Sequence, residues 1–127
     1  MFNKILSKER EQIERDKKHL KELVQTINEE REQVLEDIDI VKDIVNNLLK
    51  RYGGKEELKN KYYFLYTKIE ESFCTLNNHK NYLKRDHIKN KDAKEVLTRI
   101  FKAKQDIAVC KEFSFRLKEN ILIDKNN

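Results

Sequence analysis

The sequence predicts an all-α protein in which a long N-terminal coiled-coil helix packs on an antiparallel helical hairpin, forming a three-helix bundle. Three observations carry this expectation. Pro is absent and Gly occurs only as the pair Gly53 and Gly54, so one place alone strongly interrupts helix. Charged residues make up 40% of the chain and hydrophobic ones 38%, a balance of regularly spaced apolar and abundant charged residues that suits long, water-facing helices rather than disorder. Apolar residues also recur at steps of three, four or seven through three successive segments.

The first helix is expected over about residues 3–52, with helix ends uncertain by a few positions. Leu6, Ile13, Leu20, Ile27, Val34, Val41 and Leu48 stand seven apart. Such a stripe stays on one side of a helix that supercoils gently to the left, so the segment calls for a partner helix along its length. A second seam is filled only from Leu23 and Val24 onward, by Ile38, Ile44, Val45 and Tyr52; before it, Arg10 and Lys17 or Glu9 and Asp16 take the equivalent places. The C-terminal half should therefore sit in a core, with residues 7–22 forming a thinner, charged, projecting arm. Gly53 and Gly54 supply the cap and reversal, with Lys50 and Arg51 placed well against the helix dipole.

A second helix is expected over about 55–89 and a third over about 92–123, completing one domain over residues 1–127. The second carries Leu58, Tyr62, Leu65, Ile69 and Leu76, with Ser72 at the missing step; Tyr63, Phe64 and Tyr66 lie off that line, as for a helix covered on two sides. The third opens on a capping box in outline, Asp92 with Glu95. Its line is the cleanest in the chain: Val96, Ile100, Ala103, Ile107, Cys110, Ser114, Leu117 and Ile121. Phe101, Phe113, Phe115 and Leu122 broaden it. Short connections make the neighbours antiparallel, and the rich half of the first helix folds back on them.

Charge is uneven. Residues 1–49 hold 9 Lys and Arg against 12 Asp and Glu, whereas residues 50–127 hold 19 against 11. An acidic first helix thus meets a basic hairpin, and flanking charges of this kind select partner and orientation in coiled coils. The most basic stretch runs from His79 to Lys94. There Lys80, Tyr82, Lys84, Arg85, Lys89 and Lys91 form a candidate nucleic-acid contact, in which cations release counterions and a tyrosine stacks on a base. A solvated, charge-kept hairpin tip is the plainer alternative.

Catalytic motifs are not found. No Glu-x-x-His pair of a di-iron bundle occurs, His79 and His87 flank Asp86 as surface histidines, and Gly53 and Gly54 match no phosphate-binding fingerprint. Cys74 and Cys110 read as reduced, half-buried thiols at a shared height in the hairpin, neither a disulfide framework nor a nucleophile. No cofactor and no metal site is expected. No apolar run reaches membrane-spanning length and the start lacks a signal-peptide core, which places the protein in the cytoplasm away from membranes. Abundant Lys, Asn and Ile suggest an AT-rich genome and a bacterial or phage accessory protein.

The expectation is a non-enzymatic protein-binding module: an adaptor, inhibitor, or secretion or chaperone-like accessory protein. Its partner is another protein bound by helix–helix packing, with a homodimer when alone, through Leu6, Ile13, Leu20, Ile27 and Val34. The alternative is a nucleic-acid-associated accessory protein using the basic tip at residues 79–94.

Overall fold

The computed structural model describes residues 2–84 and 92–127, with side chains from Leu6 onward. Among the described residues there are four helices and no strand: α1 (Phe2–Arg51), α2 (Lys55–Lys61), α3 (Tyr63–Leu83) and α4 (Ala93–Asn126). The expected segment from Arg85 to Lys91 lies outside the described residues.

α1 ends where Gly53 and Gly54 take φ of 118° and 88°. The Gly54 N–H donates to the Leu49 carbonyl at 2.9 Å, the long reverse bond of a Schellman cap, and Lys50 and Arg51 occupy the last turn. The chain then re-enters helix at Lys55. Where one continuous second helix was expected, Tyr62 leaves helical geometry at φ −130° and ψ 50° and separates α2 from α3. The amide ladder is interrupted there: the Tyr62 N–H closes α2 on the Leu58 carbonyl and the Tyr66 N–H opens α3 on the Tyr62 carbonyl. That bend moves the buried line. Leu58 is in the core, but Tyr66 rather than Tyr62 or Leu65 follows it, and Ile69, Ser72, Leu76, His79 and Leu83 complete it. Tyr63 and Phe64, expected under a second cover, face solvent.

Side-chain pairs fix the directions. Lys104 meets Glu30 at 2.7 Å and the Lys125 ammonium lies 5.0 Å from the centre of the Tyr52 ring, so α4 runs parallel to α1. Lys80 meets Asp39 at 2.6 Å and Lys42 donates to Asn77, so α3 runs against α1. The pairs His79–Asp106 and Tyr62–Asp124, both at 2.6 Å, set α3 antiparallel to α4. α3 and α4 pack most extensively, and α1 lies chiefly on α4. The result is the expected bundle of a hairpin with α1 folded onto it.

α1 contributes Ile27, Val34, Ile38, Val41, Val45 and Leu49 to the core. The strict seven-residue line thus slips by one near its end, and Leu48 is only half-buried. Steps of three and four that average slightly above 3.6 keep a nearly straight helix in register, so no long supercoil is needed over this length. α4 buries Val96, Ile100, Ala103, Ile107, Cys110, Ser114, Leu117 and Ile121, as read from the sequence. Asp92, however, makes no side-chain capping bond and sits at helical φ and ψ, so the expected capping box is not formed.

Candidate binding surfaces

The offset between α1 and α4 sets the first surface. Glu30 beside Lys104 and Tyr52 beside Lys125 bring Ala93, the first residue of α4, level with about His19 of α1. Residues of α1 before that point extend past α4, and every side chain from Leu6 to Leu23 is exposed. Leu6, Ile13 and Leu20 are 39%, 53% and 40% accessible, although each stands on the same seven-residue line that leads into the core. Ile27 and Val34, grouped with them from the sequence, are instead fully buried inside this chain's own bundle. Reaching them would require opening the bundle, so the candidate partner-binding line is corrected to Leu6, Ile13 and Leu20. Local ties stiffen the arm: Arg15 pairs with Glu11 and Gln12 donates to Asp16 at 2.9 Å, both one turn apart. Along the line, Glu9 and Asp16 form one edge and Arg10 and Lys17 the other, since neighbouring residues diverge by about 100° around a helix.

A second surface was not read from the sequence. Each core residue of α4 is followed by a residue of another line one position on: Leu97, Phe101, Lys104, Ala108, Lys111, Phe115, Lys118 and Leu122. From Phe101 on, apolar residues and lysines alternate along it. Lys104 and Lys118 lie on the α1 side, against Glu30 and beside Ile44 respectively, so this line borders the outer groove between α1 and α4. Phe101 and Phe115 are 65% and 61% accessible, and Ile40 and Ile44 are exposed on the α1 wall. A hollow of about 280 Å³ lies in this groove between Ile44, Leu48, Tyr52 and Lys118. Its signal in the sequence is Phe101, Phe115 and Leu122, which broaden the apolar face of α4 without entering its core line.

The basic tip is more occupied than its sequence implied. Lys80 is tied to Asp39 of α1. The Arg99 guanidinium lies 4.4 Å from the Tyr82 ring centre and covers one face of it. Lys84 is exposed; Arg85, Lys89 and Lys91 lie outside the described residues. Tyr82, Lys94, Glu95, Thr98, Arg99 and Lys102 line an open hollow of about 510 Å³.

His79 is not a surface histidine. It is 2% accessible, and its Nε2 stands 2.6 Å from Asp106 Oδ2; a carboxylate only accepts, so Nε2–H is the donor. Its Nδ1 is buried with no hydrogen-bond partner among the described residues. The two thiols diverge from the half-buried reading: Cys74 is exposed and Cys110 buried. Burial pushes the Cys110 thiol up from its ordinary value, with Ser114 opposing. Tyr62 is also raised, chiefly by donating to Asp124 at 2.6 Å. Among the described residues no group of His, Cys, Asp or Glu is arranged to hold a metal ion, and no helix is long and apolar enough to cross a membrane. Compared with protein-family models, curated proteins and solved structures, the chain matches none.

Proposed function

We propose that this chain is a non-enzymatic protein-binding module whose projecting arm engages a helix of another protein molecule, in the manner of an adaptor, inhibitor, or secretion or chaperone-like accessory protein of the cytoplasm. The observation that carries the reading is the exposed line Leu6, Ile13 and Leu20 on a helix that continues into the core. Burying one such side chain contributes roughly 1.5–3 kcal/mol, so leaving three in water at heptad spacing is costly for a helix with no binding partner. The same line makes the protein self-associate when no other ligand is present. Light scattering on the purified protein across a salt and concentration series tests this. The wild type is expected to form a salt-stable species larger than the monomer. Ile13→Ser with Leu20→Ser should abolish it while the bundle still folds and unfolds cooperatively, because neither residue belongs to the core. Unaltered association in that variant would refute the reading.

A second reading, nucleic-acid binding at the tip, is favoured by one observation, the gathering of Lys94, Arg99 and Lys102 around the 510 Å³ hollow. It requires binding to short duplex or single strands that falls steeply with salt and is lost in Lys94→Glu with Lys102→Glu. Binding absent at low ionic strength eliminates it.

A further inference from the structure

We propose that the arm of one copy lies in the outer α1–α4 groove of a second copy, parallel to both of those helices, so that copies join head to tail. The inference rests on the arm being a binding element, as argued above, and names what it binds.

Four features of the molecule converge on this occupant. Period is the first: the arm presents Leu6, Ile13 and Leu20 seven apart, and the groove presents Phe101, Ala108, Phe115 and Leu122 seven apart. Two lines of equal period interdigitate along their whole length. Length is the second. The groove line spans 21 residue steps from Phe101 to Leu122 and the exposed arm 17 from Leu6 to Leu23, about 31 and 26 Å at the helical rise.

Charge is the third feature and the one that selects direction. The α4 wall carries Lys104, Lys111 and Lys118, of which Lys104 is engaged by Glu30 and the other two make no ion pair among the described residues. The α1 wall is acidic where the arm's charges would lie, with Asp37 seven residues from both Glu30 and Ile44 and so in line with them, while Arg51 stands at its far end beside the hollow. A helix lying between these walls needs an acidic edge toward α4 and a basic edge toward α1. The arm has both, Glu9 with Asp16 on one side of its apolar line and Arg10 with Lys17 on the other. Because a right-handed helix turns clockwise as it recedes from its N-terminus, an arm parallel to α4 puts Glu9 and Asp16 on the lysine wall and Arg10 and Lys17 on the acidic wall. An antiparallel arm reverses both edges and opposes like charges, which costs affinity. Two α4 faces set against each other would bring the lysine lines together, so the groove disfavours its own copy.

The fourth feature is the end of the bundle. With the arm parallel and filling the groove, the next copy's bundle begins just past the C-terminal end of the first. Tyr63, Phe64 and Ile123, all exposed in the single chain, stand near that end and become a junction. A parallel arm displaced along the axis cannot be returned by a two-fold rotation, so the contact is heterologous and leaves a free arm and a free groove at each end of any row.

That asymmetry supplies the test. Solution mass is measured for the full-length wild type, an arm variant (Ile13→Ser, Leu20→Ser) and a groove variant (Lys111→Glu, Lys118→Glu), each checked for unchanged helix content by circular dichroism. The wild type is expected to grow beyond a dimer with concentration. Each variant alone should stay monomeric, and an equimolar mixture should stop at a heterodimer, joined by the intact arm of one and the intact groove of the other. Adding Glu9→Lys and Asp16→Lys to the groove variant should restore growth of that chain. A groove variant that associates like the wild type overturns the inference while leaving the arm as the binding element. An arm variant that associates like the wild type overturns both, and a wild type that remains monomeric overturns the second copy as the occupant.

Discussion

At residue scale, the buried pair His79 and Asp106 and the thiol of Cys110 decide the sharpest expectations. His79 leaves water with one nitrogen bonded and one not, while Asp106 keeps partial access to solvent, its side chain 29% accessible. Removing the two partners should therefore have unequal effects. Asp106→Ala strands the buried Nε2–H and is expected to cost about 1–3 kcal/mol, whereas His79→Leu removes the orphan Nδ1 with little change of volume and lets Asp106 rehydrate, for a change within about 1 kcal/mol. Urea unfolding of the two variants beside the wild type measures this; equal losses would show that stranding the buried Nε2–H adds no penalty to the loss of the bond itself. The cysteines should separate as cleanly. In native protein a thiol reagent should modify Cys74 rapidly and reach Cys110 only on unfolding. Because burial raises Cys110 above its ordinary value of 9.0, the folded chain holds that proton more tightly than the unfolded chain. Its stabilising contribution is intact below pH 9 and declines as pH climbs through the raised value. Unfolding free energy measured between pH 7 and 10 should fall at the alkaline end, and less steeply in Cys110→Ala.

At the scale of elements, the turn between α1 and α2 was the most legible feature and the bend at Tyr62 the least. Two adjacent glycines in a chain without proline leave no other reading, and Gly54 bears it out with φ 88° and ψ 176°, a region that side chains with a Cβ avoid. Gly54→Ala is expected to destabilise the bundle by about 1–3 kcal/mol, seen as a lower urea midpoint with an unchanged slope, although nothing lies near enough to obstruct the new methyl group. A substitution without effect would mean that the reversal is free to reshape. The Tyr62 bend has no such mark, because no Gly or Pro stands at it and the contact its hydroxyl makes is with Asp124, 62 residues away in sequence. His79 was misplaced for a related reason. Its neighbours are Lys, Asn and Asp, so composition said surface, but its position three residues after Leu76 and four before Leu83 puts it on the buried line. In α4, periodicity alone sufficed for the core line. It failed for the line one residue on, where alternating lysines hide a seven-residue repeat from any reading that counts only apolar positions.

For the molecule as a whole, the long first helix divides into two parts with different duties, and that division was visible in the sequence as the filling of the second seam. From Ile27 on, α1 is held by the hairpin; from Leu6 to Leu23 every side chain is exposed. An isolated helix of this length is marginal in water, so the arm's order depends on continuity with the bundle and on whatever covers Leu6, Ile13 and Leu20. Among the described residues, deleting 1–20 removes no side chain of the core. The shortened chain should therefore fold, and its melting temperature should be independent of protein concentration. The intact chain should instead melt higher as concentration rises, because association stabilises only the folded form and does so by mass action, about 2.7 kcal/mol at a ligand concentration one hundred times Kd. Calorimetric scans of both chains over a hundredfold range of concentration compare the two dependences directly. Parallel behaviour would mean that the arm takes no part in association, and a truncated chain that fails to fold would mean that residues 1–20 support the bundle through contacts absent from this structure.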